Sequence, residues 1–225
     1  MTDQPTEQVP HSAASSAAEP FIEFRDVEKS FGEKHVLRGV DLIVRQGEVL
    51  VIMGGSGSGK SVTLRHMLGL ERPDSGEVFV EGEEISSLAE EQQYPVRRKF
   101  GMLFQSGALF DSMNVYENVA FPLREHTDMS EKEVGDNVAR VLDLVDLAGT
   151  EQSMPIDLSG GMRKRVSLAR SIVLNPKIIL YDEPTTGLDP ITADTINRLI
   201  VDLQRKLNVT SVVVTHDIQS TFAVG

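Results

Sequence analysis

The sequence predicts an α/β fold with a mostly parallel sheet as its core, a small antiparallel β layer and an inserted helical subdomain. Three runs dominated by apolar residues, at 49–53, 178–181 and 211–214, indicate strands that are covered on both faces, as in a parallel sheet. Helical patterns lie between these runs, with apolar residues at offsets of three and four across residues 134–145 and 196–207. Folds of this class bind ligands outside the carboxyl ends of their strands.

The remaining segments complete this organisation. Short β-like runs at 22–24, 36–42 and 78–80 alternate with Gly and Asp turn signals, which predicts the antiparallel layer. From about residue 86 to 157 the pattern is mainly helical, which predicts the inserted subdomain. Residues 1–20 include ten Ala, Ser or Pro and almost no large apolar side chain. We expect them to form a disordered tail before a single domain at 21–225.

Composition excludes several classes of function. The 225 residues carry 22 Lys and Arg against 34 Asp and Glu, a net charge of −12 that argues against a nucleic-acid partner. The chain has no Cys, so disulfides, thiolate metal sites and a cysteine nucleophile are excluded. No apolar run approaches the ~18 residues of a membrane span, and the start is unlike a secretory signal. We therefore expect a cytoplasmic protein that meets a membrane only through a partner.

A phosphate-binding loop is the strongest chemical signal in the sequence. Residues 54–61 read GGSGSGKS, which fits the pattern GxxxxGK[ST] between a predicted strand and a predicted helix. The glycines allow amide groups to converge on phosphate oxygens at a helix N-terminus. Lys60 would reach the β- and γ-phosphates, and the Ser61 hydroxyl would bind Mg²⁺. A flexible Gly/Ser linker is the alternative, but it would not explain the flanking strand and helix.

Two acidic residues at a strand end are the second signal. Asp182 and Glu183 follow the buried strand at 178–181, at the edge where Asp182 could hold Mg²⁺ and Glu183 could polarise an attacking water. The alternative is that these acids only cap the turn at Pro184. On their own the two interpretations are equal, and the phosphate loop favours the functional one.

The third signal is a capped helix start at residues 158–162. Ser159 is a good N-cap, and Gly160 and Gly161 leave amide groups free at the start of a helix, which predicts a second anion-binding site. An ordinary capped helix explains this local pattern equally well. A single nucleotide in a single subunit has no need of a second phosphate site.

Together these motifs resemble the nucleotide-binding subunit of ABC transporters, over residues 21–225. Residues 54–61 match the Walker A motif, 179–183 the Walker B motif and 158–162 the LSGGQ signature, with Met162 in place of the last Gln. The resemblance also identifies Gln105 as the Q-loop glutamine, residues 186–189 as the D-loop and His216 as the switch histidine. Taken alone, Gln105 would be a surface glutamine, and His216 a partly buried histidine at a strand end.

The resemblance implies ATP and Mg²⁺ as cofactors and a head-to-tail homodimer. In such a dimer, Ser159 and Gly161 of one subunit contact the γ-phosphate that Lys60 of the other holds. The implied nucleotide-binding residues are Phe31 (stacked on adenine), Gly54, Gly55, Ser56, Gly57, Ser58, Gly59, Lys60, Ser61, Val62, Ser159, Gly160 and Gly161. The implied catalytic residues are Lys60, Gln105, Glu183, Asp189 and His216, and the implied metal-binding residues are Ser61, Gln105 and Asp182.

A finer resemblance lies at residues 101–110 and 113–127. This segment is similar to the ATPase subunit of Mla-type bacterial phospholipid transporters, whose integral-membrane permease is of the MlaE kind. It would receive the permease's coupling helix, although its aromatic residues could simply be core residues. We therefore expect ATP hydrolysis coupled to lipid transport by a subunit peripheral to the inner face of the cell membrane. The alternatives are an ABC ATPase for another substrate and a soluble ABC ATPase, a class that usually carries two fused modules.

The end of the chain departs from the family. ABC subunits normally continue past the switch histidine with another strand or two and a closing helix, whereas this chain stops nine residues after His216. The sequence therefore predicts either a fragment or a domain that lacks its C-terminal support.

Overall fold

The computed structural model describes residues 20–225, so residues 1–19 of the predicted tail at 1–20 lie outside them, whereas Pro20 begins the first strand. Eight strands and seven α-helices follow one another in this part of the chain. In order they are β1 Pro20–Phe31, β2 Lys34–Arg45, β3 Val49–Met53, α1 Lys60–Met67, β4 Ser75–Val80, β5 Glu83–Glu84, α2 Glu90–Arg97, β6 Phe100–Leu103, α3 Val115–His126, α4 Glu131–Leu144, α5 Gly160–Ile172, β7 Ile178–Asp182, α6 Pro190–Leu207, β8 Thr210–Thr215 and α7 Ile218–Val224.

The antiparallel sheet has the strand order β2-β1-β4-β5. In β1, the side chains of Ile22 and Phe24 are buried, whereas the intervening Glu23 and the following Arg25 are more exposed, which is the alternation of a sheet with one covered face. Asp26 has φ 47° where the pairing of β1 with β2 shifts register. The predicted antiparallel layer is confirmed, and it is longer than the sequence pattern indicated.

The parallel sheet has the strand order β3-β8-β7-β6. The three strands expected from apolar runs are its β3, β7 and β8, and β7 and β8 are buried along nearly their whole length. The fourth strand, β6, was not expected, because it is short and contains a glycine. A Cβ added at Gly101 would lie 2.3 Å from the carbonyl oxygen of Ser171, so the glycine allows β6 to pack directly on α5.

The helical part of the fold begins later than the sequence suggested. The predicted range, about 86–157, contains β6 of the parallel sheet, so the stretch without strands starts after Leu103. Its two main helices are well capped: the Asn114 side chain accepts from the Glu117 amide at the start of α3, and Ser130 caps α4 in the same way. The division into a domain and a subdomain stays a prediction.

Two hydrophobic cores lie on opposite faces of the parallel sheet. On one face, Leu180 and Val212 pack with α1 and the antiparallel sheet. On the other face, Ile179 and Val213 pack with α3, α4, α5 and α6. Because side chains alternate along a strand, β7 contributes to both cores. The strand ends at Asp182, and Glu183 follows it at the edge of the sheet.

The last helix, α7, packs against α6, β3 and β8, and its Val224 is buried. None of the helices between residues 20 and 225 is long and apolar enough to cross a membrane.

Candidate nucleotide-binding site

The phosphate loop connects β3 to α1, and its backbone requires glycine. Gly57 and Gly59 adopt left-handed conformations, with φ 75° and 99°. A Cβ at Gly59 would also lie only 3.0 Å from the Leu37 side chain of β2. The first amides of α1 have no partner within the helix, and no acidic residue occupies its first turn. The loop and the helix start therefore form a site suited to an anion.

Lys60 is the first residue of α1 and is almost fully buried. Its ammonium group donates to the carbonyl oxygens of Gly54 at 2.7 Å and Gly55 at 3.0 Å. The same nitrogen lies 3.2 Å from Oε1 of Glu183 at the end of β7. The lysine thus joins the phosphate loop to the second acidic residue of the sheet edge.

Ser61 and Asp182 meet beside this lysine. The Ser61 hydroxyl donates to Oδ1 of Asp182 at 3.2 Å. Burial raises the pKa of Asp182, and the hydrogen bond from Ser61 opposes that effect. Among residues 20–225, no three His, Asp or Glu side chains cluster as metal ligands. Mg²⁺ usually takes only one or two protein oxygens beside substrate phosphates and water, so this hydroxyl–carboxylate pair fits it.

Glu183 has an unusual backbone and several donors. Its φ of 49° is left-handed, a conformation that a non-glycine residue adopts at a cost, and its amide donates to Val214 at 2.9 Å. Its carboxylate accepts from Thr186 at 3.2 Å as well as from Lys60 and His216. Burial acts to raise the pKa of Glu183, but the hydrogen bonds from Lys60 and His216 outweigh it and the pKa is lowered.

His216 follows β8 and places its ring against the same carboxylate. Nδ1 lies 2.7 Å from Oε2 of Glu183, and the His216 amide donates to that oxygen at 3.3 Å. An ionised carboxylate only accepts, so Nδ1 carries a proton. The ring is more than half exposed, and its Nε2 has no hydrogen-bond partner among the described residues.

Two other predicted residues, Phe31 and Gln105, make no hydrogen bond to this cluster. Phe31 is 45% exposed, which excludes a core role, and it lines a cleft of about 350 Å³ with Lys34 and the phosphate loop. Gln105 follows β6 with an exposed side chain, and only its backbone oxygen is bonded, by Lys164. The structure thus brings together Lys60, Ser61, Asp182, Glu183 and His216, and leaves Gln105 and Phe31 at the margin.

The signature segment forms a separate helix start. The Ser159 hydroxyl caps α5 by accepting from the Met162 amide at 3.2 Å. A Cβ at Gly161 would lie 2.4 Å from Cγ2 of Thr192, so glycine allows α5 to approach α6. Asp189 caps α6 and also accepts from the Thr192 hydroxyl at 2.5 Å. No hydrogen bond within residues 20–225 joins residues 159–161 to the phosphate loop.

Sequence reasoning missed Lys164, and it placed Thr186 in the D-loop without its bond to Glu183. Thr186 donates to the Glu183 carboxylate, and the Lys164 ammonium reaches carbonyl oxygens on both sides of the site. A lysine in a helical pattern is typical of an exposed face, so the sequence carried no signal for its burial.

The fold and the loop geometry define a P-loop nucleotide-binding α/β domain. A family model described as ABC transporter matches residues 37–186. The chain is 43% identical over 204 residues to the intermembrane phospholipid transport system ATP-binding protein MlaF of Escherichia coli strain K12, covering 91% of this chain and 76% of that protein. It is 47% identical over 197 residues to the probable ribonucleotide transport ATP-binding protein mkl of Mycobacterium leprae, covering 88% of this chain and 57% of that protein.

A solved structure of an ATP-binding cassette is also similar to this chain. A dimeric ATP-binding cassette in a post-hydrolysis state with ADP and Pi is 35% identical, with a TM-score of 0.81 and 90% coverage of both chains. The chain belongs to the ABC transporter family, and the predicted fold class is confirmed. It spans little more than half the length of the mycobacterial relatives that it matches.

Proposed function

We propose that the protein binds and hydrolyses ATP as the nucleotide-binding subunit of a transporter that moves lipid, most specifically phospholipid. The observation that carries the proposal is the convergence of Lys60, Glu183 and His216 beside the phosphate loop, at the carboxyl ends of three parallel strands. That convergence offers a cation for phosphate and a carboxylate for water at the same place.

In this proposal the phosphates lie on the loop amides and the start of α1. Lys60 exchanges its carbonyl contacts for the β- and γ-phosphates, which it can do because its bonds to Gly54 and Gly55 are to neutral oxygens. Phe31 stacks on adenine from the cleft that it shares with the loop. Ser61 and Asp182 would hold Mg²⁺, with Gln105 as a further ligand, and the bound ion would supply positive charge beside the phosphates.

Hydrolysis requires a proton acceptor, and Glu183 supplies it. Its contact with Lys60 lowers its pKa, so transfer of Lys60 to the phosphates makes the carboxylate more basic when a substrate is present. His216 holds this carboxylate through Nδ1 and keeps Nε2 available for the γ-phosphate. The strained backbone of Glu183 fixes the direction in which the carboxylate leaves the sheet.

A complete site requires a second subunit. The helix start at Ser159, Gly160 and Gly161 has free amides but no bond to the loop of its own chain. In a head-to-tail homodimer it would close the γ-phosphate side of the partner's loop, with Asp189 near the subunit boundary. The similarity to a dimeric cassette bound to ADP and Pi supports this arrangement.

An apolar groove beside the Q-loop supports a membrane partner. The exposed rings of Phe104 and Phe110, together with Phe121, line a groove of about 390 Å³. The Asn118 side chain, fully buried, bonds Phe110 at both its amide and its carbonyl and so fixes the rim. We propose that an integral-membrane permease of the MlaE kind inserts a helix here, which would hold the subunit at the inner face of the cell membrane.

Phospholipid as substrate rests on the likeness to the E. coli protein, whose name states phospholipid transport. The mycobacterial relatives, whose sequence identity to this chain is of similar size at 47%, are named for ribonucleotide transport. A transporter of ribonucleotides is therefore the second candidate. Lipid analysis of the purified subunit–permease complex distinguishes them, since a lipid transporter should retain phospholipid and a ribonucleotide transporter should not.

The hydrolysis proposal is tested by Glu183→Gln. The amide keeps the volume but cannot accept a proton, so turnover should fall by about 10²- to 10⁴-fold while ATP binding is preserved. This variant should also dimerise with ATP, as measured by light scattering. The exposed Glu91→Gln on α2 is the matched control and should hydrolyse like the parent. Full turnover by Glu183→Gln, or a monomer at saturating ATP, would contradict the proposal.

A further inference from the structure

Two cationic side chains of α5, the buried Lys164 and the half-buried Arg170, hold the backbone that follows β6. Lys164, 5% exposed, donates from its ammonium group to the carbonyl oxygen of Gln105 and lies 3.5 Å from that of Glu183. Six residues further along the helix, Arg170 donates to the carbonyl oxygens of Gly107 at 3.2 Å and Ala108 at 2.7 Å. The side chains of one helix thus donate hydrogen bonds to three carbonyl groups within residues 105–108.

These cations are costly features of the fold. Neither Lys164 nor Arg170 lies within 4 Å of a carboxylate among the described residues, and burial lowers the pKa of both side chains. Among residues 20–225, the acidic groups whose charge acts on Lys164 are Asp182 and Glu183, at the end of β7. An apolar side chain would avoid this cost of burial but could not bind a carbonyl oxygen.

The backbone of residues 105–108 is also irregular. Gly107 has φ 80° and Ala108 has φ 48°, so this segment cannot be held by regular strand or helix hydrogen bonds. At one end of it is Gln105, and beyond the other is Phe110, whose ring lines the apolar groove and lies 5.5 Å from the Arg170 guanidinium. Three parts of the molecule therefore meet on α5: the Glu183 backbone, Gln105 and the groove.

We propose that Lys164 is a positioning residue that fixes Gln105 relative to Glu183, and that Arg170 fixes the groove end of the same segment. The effect on hydrolysis rests on the proposed function. Movement of α5 would then displace the Q-loop and the groove together, because both are attached to it through backbone oxygens.

The experiment compares Lys164→Met, which keeps the aliphatic length but loses the donors, with Lys164→Arg, which keeps charge and donors. Two quantities are measured: ATP turnover, as kcat and KM, and hydrogen–deuterium exchange of residues 104–110 without nucleotide. Lys132→Met, on the exposed face of α4, is the control. If Lys164→Met does not fold, Lys164→Gln, whose amide can donate to one carbonyl, replaces it.

We expect Lys164→Met to lower kcat by at least about tenfold, with KM within about twofold of the parent, because only positioning is lost. Exchange at Gly107 and Phe110 should accelerate, and Lys164→Arg should restore most of both properties. Arg170→Met should accelerate exchange at the same amides.

Unchanged exchange in Lys164→Met would overturn the proposal, and so would faster exchange with unchanged kcat. A parent protein without ATP turnover would instead contradict the proposed function. In that case the exchange measurement still tests whether Lys164 and Arg170 hold the segment.

Discussion

Single residues of this protein carry roles that their type alone does not reveal. Lys60 is bound by two carbonyl oxygens and one carboxylate, so in the absence of substrate its charge is already compensated. The motif at 54–61 predicted the identity of this residue and its neighbours in the site. It could not predict the contact with Glu183, because that contact joins positions far apart in the chain and depends on how β7 lies beside α1.

The exposed ring of Phe31 gives a first prediction at this scale. Phe31→Ala should weaken ATP binding by about 1–3 kcal/mol, the range found for a base stacked on an aromatic ring. Titration with a fluorescent ATP analogue measures the change. Phe222→Ala, which removes an exposed ring on α7, is the control and should bind as the parent does. Equal binding by both variants would remove Phe31 from the nucleotide site.

His66 on α1 gives a second prediction, on pH. It is 1% exposed, its Nδ1 contacts the Val62 carbonyl, and its Nε2 is buried without a partner in the described structure. Burial lowers its pKa from the ordinary value of 6.5, so the unfolded chain binds the proton more readily. Its contribution to stability is complete above pH about 6.5 and is lost as the pH falls below that value.

Replacing His66 with Leu should therefore make stability less dependent on pH. The difference in unfolding free energy between pH 7.5 and pH 5.5, from urea denaturation, should be smaller for His66→Leu than for the parent. His35→Leu on β2 removes an exposed histidine and is the control. If the unfolding free energy of the parent is constant between pH 7.5 and pH 5.5, burial does not lower the pKa of His66 as described.

At the scale of elements, the sequence predicted the strands and helices whose spacing of apolar residues follows from which of their own faces are buried. Strands β7 and β8 are apolar because both of their faces are covered, and β3 is partly buried against the same two cores. Helices α4 and α6 show the spacing of helices with one buried face. Strand β6 escaped prediction because its four residues include Gly101, whose purpose is close contact with α5. Such a contact belongs to the tertiary structure and leaves no periodic pattern.

Two glycines that read alike in the sequence should therefore respond oppositely to alanine. Gly101→Ala should destabilise the fold by about 1–3 kcal/mol or more, because its Cβ would meet the backbone of Ser171. Gly135→Ala should stabilise it by about 0.5–1 kcal/mol, since Gly135 is inside α4 and its Cβ would lie 3.7 Å from the Tyr116 hydroxyl. Thermal and urea unfolding measure both, and changes of the same sign would contradict this assignment.

At the scale of the whole molecule, the proposed function makes the groove beside Gln105 the surface that selects the partner. Ser112 and Asn114 lie close in the chain to Phe110, whose ring lines the groove, but neither of them lines it. The structure shows that Asn114 caps α3, so its replacement would also disturb the helix, whereas Ser112 is exposed and unbonded within the described chain.

Phe110→Arg, which replaces a ring that lines the groove with a charged side chain, should reduce recovery of the permease complex while leaving nucleotide binding unchanged. Recovery is measured by co-expression and co-purification from membranes. Ala139→Arg, which adds the same side chain to the outer face of α4, is the control and should assemble normally. Normal assembly of both variants would place the docking surface elsewhere.

The hydrogen bonds from α5 to the carbonyl oxygens of residues 105–108 have a consequence for how the sequence of the following segment can vary among such subunits. Lys164 and Arg170 bind carbonyl oxygens, which every amino acid provides, so the attachment places little demand on the side chains of the segment it holds. The helices that follow pack into the core on one face of the parallel sheet, while the phosphate loop helix packs into the other. A chimaera with residues 106–157 exchanged for those of a relative should therefore acquire that relative's permease and keep its own ATPase machinery.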